Sequence, residues 1–272
     1  NNKNYKLFLD LCLDTFKKYK NDDFEIILID EMSLNRYLPD LPKNFNDYNF
    51  DLRCNYIKFK LLYEYGGLFV NLNTIVLTNF KLLTDKLIQY DFIGFGCKDE
   101  DFENNNYYSK PLLNVIGSRK NSILCRKMID SFEELFKNKN NININLNEIR
   151  KLFLESLQNL IKNNNYEYYH YPPSYSGLYD NNNEKITLNK LISKEDINFD
   201  NCNIKFITVD FENIMTNELL TNESIFNIKN NITTLFKKSL YPDHPNPELP
   251  LILNKKVEIY ILYIPKREVY IK

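Results

Sequence analysis

Apolar residues recur at helical spacing along several stretches of the chain and gather into short unbroken runs between them. In residues 4–20, NYKLFLDLCLDTFKKYK, the positions Leu7, Phe8 and Leu11 share one stripe with Lys17 and Lys18 opposite, which predicts an amphipathic helix. FEIILID, Phe24–Asp30, is a short β-branched run ending in Asp30-Glu31 and predicts a buried strand, with a small helix in DEMSLNRYL closed by Pro39 and Pro42. Residues 51–65 predict a second amphipathic helix with Ile57, Leu61, Leu62 and Tyr65 inward. Gly66-Gly67 stops it, because the left-handed conformation that ends helices is cheap for glycine. Leu68–Val70 then reads as a strand running into Asn71-Leu72-Asn73 and TIVL.

Beyond this point the pattern predicts a helix near 80–88, strands at Tyr90–Gly96 and Pro111–Ser118, and a helix over 121–137. A polar low-complexity link, Asn138–Asn147, leads to a helix at about 146–162. YEYYHYPPSYSGLYD is an aromatic strand opening into a Pro/Ser/Gly loop, NIKFITVD (Asn203–Asp210) a further buried strand, and YPDHPNPELP an extended connection. The tail KKVEIYILYIPKREVYIK is a strand with a basic exit. Strands that alternate with helices and are apolar throughout predict an α/β fold, a mixed but mostly parallel sheet flanked by helices. Residues 1–250 read as one such domain, and 251–272 as a C-terminal strand and linker, the start of a further unit.

Composition narrows the function classes. A net charge of −1 gives no basic field to draw nucleic acid or an anionic membrane. No apolar run reaches the roughly 18–20 residues that span a bilayer, and the opening NNKNYK is not a signal peptide. Cys12, Cys54, Cys97, Cys125 and Cys202 are scattered and form no CxxC pair, which points to a reducing, cytoplasmic setting. No P-loop, GxGxxG or Ser-His-Asp arrangement is present. The glycosylation sequons at Asn222 and Asn231 read as chance in an Asn-rich chain. Abundant Asn, Lys, Ile and Tyr mark a gene of A/T-rich codons, in which Asp-to-Asn and Arg-to-Lys exchanges each need a single G-to-A change.

In open α/β sheets ligands sit in the crevice at the carboxyl ends of strands. Asp30-Glu31, Asn71-x-Asn73 and Gly94–Gly96 all follow strands, so they line one cleft or else merely cap turns. CNYIKFKLLYEYGGLFVNLNTIVL, with LCLDTFKKYKNDDFEIILIDEMSLNRYLP upstream and YDFIGFGCKDE and NVIGSRKNSILCRKMIDSF downstream, resembles sugar transferases with a GT-A-type nucleotide-sugar-binding fold. The similarity is to the family-32-like and capsular-polysaccharide-synthesis group and covers roughly residues 5–137. It implies transfer of a sugar from a nucleotide-diphosphate donor to a glycan or protein hydroxyl, with retention at the anomeric carbon. Partners are then a nucleotide-sugar and a glycan or protein acceptor, with no nucleic acid and no membrane span.

The departures from that family's pattern are systematic. Its helix Asp falls on Asn55 and its Arg on Lys58; its Asp-x-Asp, which holds Mn²⁺ or Mg²⁺ against the donor diphosphate, falls on Asn71 and Asn73. Hard cations favour charged oxygen, so the amides imply weakened or lost metal use. Their carbonyls can still ligate, with His244 as a further metal ligand, or their NH₂ groups can donate to phosphate beside Lys58, Arg119, Lys120 or His244. Donor-binding candidates are thus Asp30, Asn55, Lys58, Gly66, Gly67, Asn71 and Asn73; acceptor or lid candidates are Asn114, Ser118, Tyr175 and Ser176. Ordinary roles compete: a helix stop for Gly66-Gly67, a water-facing Asn55, a solvated Lys58, a packed aromatic site for His170. The alternative function is a degenerate transferase kept as a nucleotide-sugar- or glycan-binding or structural module. The family opens with a strand ahead of the first helix; here either that strand is trimmed away or the C-terminal strand fills its place in the sheet.

Overall fold

The structure, a computed structural model, describes residues 3–20, 24–96, 111–137, 144–164, 166–177, 186–193, 204–209, 231–240 and 260–265. The chain divides into two compact units, each assembled from separated segments. One comprises Asp22–Val70, Lys81–Tyr171 and Ile259–Lys272, here the sheet unit; the other comprises Asn1–Asn21, Asn71–Phe80 and Pro172–Glu258, here the small unit.

The strands of the sheet unit are β1 (Phe24–Ile29), β2 (Gly67–Asn71), β4 (Phe92–Gly96), β5 (Pro111–Ser118), β6 (Tyr168–Tyr171) and β8 (Tyr260–Pro265). They form a six-stranded sheet in the order β1-β8-β2-β5-β4-β6. The expectation of a mostly parallel sheet is corrected here: β1–β8, β2–β5 and β4–β5 pair antiparallel, and β4–β6 pairs parallel. Unbroken apolar runs report burial on both faces, and burial is indifferent to strand direction. The last strand lies inside the sheet, between β1 and β2.

Four helices, α3 (Phe50–Tyr65), α5 (Ile123–Lys137), α6 (Leu146–Asn164) and the short α2 (Glu31–Tyr37), belong to this unit together with α4 (Lys81–Leu87). Helix α3 starts where the Asn49 side chain accepts the Leu52 N–H at 2.9 Å, an N-cap worth about 1 kcal/mol. It is buried nearly all round, and Leu52, Tyr56, Phe59 and Leu62 enter one apolar cluster with Phe132 of α5 and Phe153 of α6. Ring contacts tie the layers: Phe59 meets Phe132 at 6.0 Å and Phe153 at 5.7 Å, and Phe153 meets Phe92 of β4 at 5.4 Å. Each such side chain contributes about 1.5–3 kcal/mol by leaving water. The C-terminal end of α5 is closed by Tyr48 and Asn44, whose side chains both donate to Phe136 O.

The small unit contains α1 (Lys3–Tyr19), β3 (Thr74–Val76), α7 (Leu188–Ile192), β7 (Phe206–Thr208) and α8 (Asn231–Leu240). β3 and β7 form an antiparallel pair. The outer edge of β3 is closed by side chains: Val76 N–H donates to Thr15 Oγ1 at 3.0 Å, and Ser239 Oγ donates to Val76 O at 2.7 Å. Both hydroxyl residues are fully buried, so a two-stranded ladder keeps its backbone satisfied inside an apolar setting. Phe8 against Phe236 and Phe16 against Phe80 build the core around it.

Candidate functional site

In the sheet unit, β5 runs antiparallel to both β2 and β4, and β6 runs parallel to β4. The carboxyl ends of β2, β4 and β6 therefore share one edge, the side on which open sheets of this class hold ligands. Asn71 closes β2. At the same edge the register of β4 with β5 breaks: Gly94 faces Ile116 while Phe95 faces Leu112. Leu113, Asn114 and Val115 make up the irregular stretch, a bulge that frees backbone groups from the ladder.

Lys58 takes up one of those groups. Its Nζ donates to Leu113 O at 2.6 Å and to Asn55 Oδ1 at 3.1 Å, and it lies 5.2 Å from the centre of the Phe69 ring. Asn55 Nδ2 in turn donates to Asp51 O at 2.8 Å. Asn55 and Lys58 are 3% and 4% exposed, so neither has the water-facing role that a helix-surface residue would have. Burial, with the nearby Arg150 guanidinium adding to it, pulls the Lys58 ammonium down to about 8, while Cys54 and Asp51 act in the opposite direction. The pair thus couples α3 to the bulge of β5 through a desolvated cation.

Gly66, Gly67 and Ser118 lie elsewhere. Gly67 is opposite Ser118 at the amino end of β2, about 13 Å of strand from Asn71. Gly66 has φ 67° and ψ −168°, and a Cβ on it would stand 2.7 Å from Lys120 N. Arg119 is held there by Asp91 at 3.3 Å and by the carbonyls of Leu87 and Ile88. The glycine pair, Ser118, Arg119 and Lys120 are therefore gathered at the amino edge of the sheet. Asp30 caps α2, its carboxylate accepting Ser33 N–H at 2.7 Å while Ser33 Oγ accepts Asp30 N–H at 2.9 Å. His170 is part-buried beside Tyr168, and burial lowers its pKa.

In the small unit Asn73 Nδ2 donates to Val209 O at 2.9 Å, and Val209 N–H donates to Asn73 O at 3.0 Å. A hydroxyl pair, Thr74 and Thr208 at 2.9 Å, extends this clasp. Tyr175 lies toward the other end of β7, its carbonyl accepting Lys205 N–H at 2.9 Å and its ring 5.6 Å from Lys205 Nζ. Ser176 follows it, and Gly177, with φ 70°, packs so closely on Ile207 that a Cβ would come within 2.4 Å. Asn231 is 3% exposed and its amide donates to Lys190 O at 2.6 Å, which leaves its sequon closed to modification in the folded chain. His244 and the sequon at Asn222 lie outside the described residues.

Against protein-family models, curated proteins and solved structures, the chain has no match. Its chemistry is read from its own geometry. Asn71 and Asn73 do not fit a tightly held divalent cation, since both side chains are neutral amides. Among the described residues no three His, Cys, Asp or Glu side chains are grouped to hold a metal ion, and no helix is long and apolar enough to cross a membrane. Arg150 of α6 is a participant beside Lys58 that the sequence pattern does not single out. It flanks the Ile149, Phe153, Leu157 and Leu160 stripe, where an arginine reads as a solvated helix residue. Only the packing of α6 on α3 reveals its neighbour.

Proposed function

We propose that the protein is a glycosyltransferase of the GT-A type. It would move a sugar from a nucleotide-diphosphate donor to a hydroxyl of a glycan or protein acceptor, with little or no reliance on Mn²⁺ or Mg²⁺. The observation that carries this reading is the shared edge of β2, β4 and β6. The Gly-Gly–strand–Asn-x-Asn signature is threaded through β2 of that sheet, and its Asn71 stands at the carboxyl end of the strand. In the transfer, the anomeric C–O bond to the diphosphate breaks and one to the acceptor oxygen forms, whose proton departs. At the carboxyl edge the neutral Asn71 amide would supply a hydrogen bond to the leaving diphosphate as its charge develops.

A second reading, a donor- or glycan-binding module without turnover, draws on a specific observation. Asn73 and Lys58, two positions that the resemblance assigns to the donor, both donate to carbonyls of their own chain. Calorimetric titration of the full chain with a panel of UDP- and GDP-sugars, with and without Mn²⁺, followed by a transfer and donor-hydrolysis assay, separates the two. Binding with turnover that persists in a chelator supports the transferase. Binding without turnover supports the module, and no binding of any nucleotide-sugar under either condition removes the transferase and the donor-binding module.

A further inference from the structure

We propose that Arg150 is an oxyanion-binding residue of the sheet unit, placed to take a phosphate of the donor diphosphate beside α3. The assignment of that phosphate to a nucleotide-sugar rests on the function proposed above; the anion site itself does not. Two contacts fix α6 along α3. Asn49 Nδ2 donates to Ile144 O at 2.8 Å just ahead of α6, and the Phe59 and Phe153 rings meet at 5.7 Å further along both helices. The helices therefore run in the same direction, and equal rises of about 1.5 Å per residue put Arg150 level with Asn55 and Tyr56. This is the half of α3 that carries Lys58, whose ammonium reaches the β5 bulge at the carboxyl edge of the sheet.

Two cations are thus neighbours, Lys58 buried and Arg150 half-buried, and an anion beside them would relieve their repulsion. Lys58 spends two of its three N–H groups on Asn55 and Leu113 and is only 4% exposed. Arg150 differs. Its Nε is buried and has no hydrogen-bond partner, although a buried donor left unpaired is costly. Among the described residues the carboxylate that acts on Lys58 is Asp51, exposed on α3. Nε–H together with an adjacent terminal N–H forms the planar edge that grips two oxygens of a phosphate at once.

The test is calorimetric titration of inorganic pyrophosphate into the full chain at low ionic strength, for the native protein and for Arg150→Gln and Arg150→Lys. Native protein is expected to bind saturably. Arg150→Gln should weaken binding at least about tenfold, the effect of a lost charge-assisted hydrogen bond. Arg150→Lys should fall between the two, since it keeps the charge and loses the planar edge. Thermal melts confirm that both variants fold; if Arg150→Gln does not, Arg150→Lys carries the comparison. Absence of pyrophosphate binding by the native chain, or equal affinity in the folded variants, overturns the proposal. Nucleotide-sugar binding that is unchanged in Arg150→Gln overturns it while leaving the transferase reading intact. Arg150-dependent pyrophosphate binding without binding of any nucleotide-sugar does the reverse.

Discussion

At the scale of single residues, the Asn73 amide does structural work within its own chain. Asn73 donates through Nδ2 to Val209 O, which a carboxylate cannot do. Asn73→Asp would face an anion toward a carbonyl, and urea unfolding at pH 7 should show a loss of about 1–3 kcal/mol. A protonated Asp can donate, so its folded pKa rises above the unfolded value of about 3.9. The deficit should then shrink toward pH 4 and reopen as pH climbs through the folded pKa. An Asn73→Asp chain as stable as the native one at neutral pH would contradict the clasp. Lys58 gives the opposite sign. Its folded pKa of about 8 lies below the ordinary lysine value of 10.5 that holds in the unfolded chain, so between these values the unfolded chain holds a proton that the folded chain lacks. Stability of the native protein relative to Lys58→Met should rise across that window by up to about 1.4 kcal/mol per pH unit. The difference between the two proteins is the quantity to follow, because burial pushes up the thiols of Cys12 and Cys125 and destabilises both proteins above pH 9. Cys54, Asp51 and Arg150, which face Lys58, are common to both proteins as well. A flat difference would mean that the ammonium is not desolvated.

At the scale of elements, the glycine pair shows how far local sequence reaches. Gly66 has a backbone conformation open essentially to glycine alone, and its missing side chain admits the backbone of Lys120. Gly66→Ala should therefore cost at least about 2 kcal/mol in chemical denaturation, and far more than an alanine placed on an exposed face of α3. Equal costs would mean that the α3 end is free to relax. That Gly-Gly ends a helix was legible from the chain, as were α3, α5, α6 and β5 nearly to the residue, because periodicity and caps are local signals. Strand direction was not, since burial on both faces leaves it unmarked. Nor was the separation of Gly66, Gly67 and Ser118 from Asn71. A motif read along the chain joins its ends, while an extended strand holds them at opposite edges of the sheet. Asn55 and Lys58 look polar in sequence and are buried because α3 is covered on nearly every side. The register break that exposes Leu113 O to Lys58 has no marker in PLLNVIGS.

At the scale of the molecule, the segments of the two units alternate along the chain, and the sheet is completed by the strand furthest along it. β8 stands between β1 and β2, with Phe24 opposite Pro265 and Ile29 opposite Tyr260. β1 owes its place in the sheet to that partner, whereas β2, β5, β4 and β6 are paired among themselves. Ile27 and Ile29 bring β1 side chains into the α3 core, but an antiparallel neighbour is what satisfies the inner backbone edge of β1. Removal of residues 259–272 should therefore act locally first. Hydrogen exchange followed by mass spectrometry should show β1 and α2 losing protection toward that of an unpaired segment, while peptides from β4 and β5 keep theirs. Loss of burial at Ile27 and Ile29 should also lower global stability by about 1.5–3 kcal/mol for each side chain that becomes exposed. Protection retained in β1 would show that β8 is not its partner, and the place between β1 and β2 would then have to be filled by another strand.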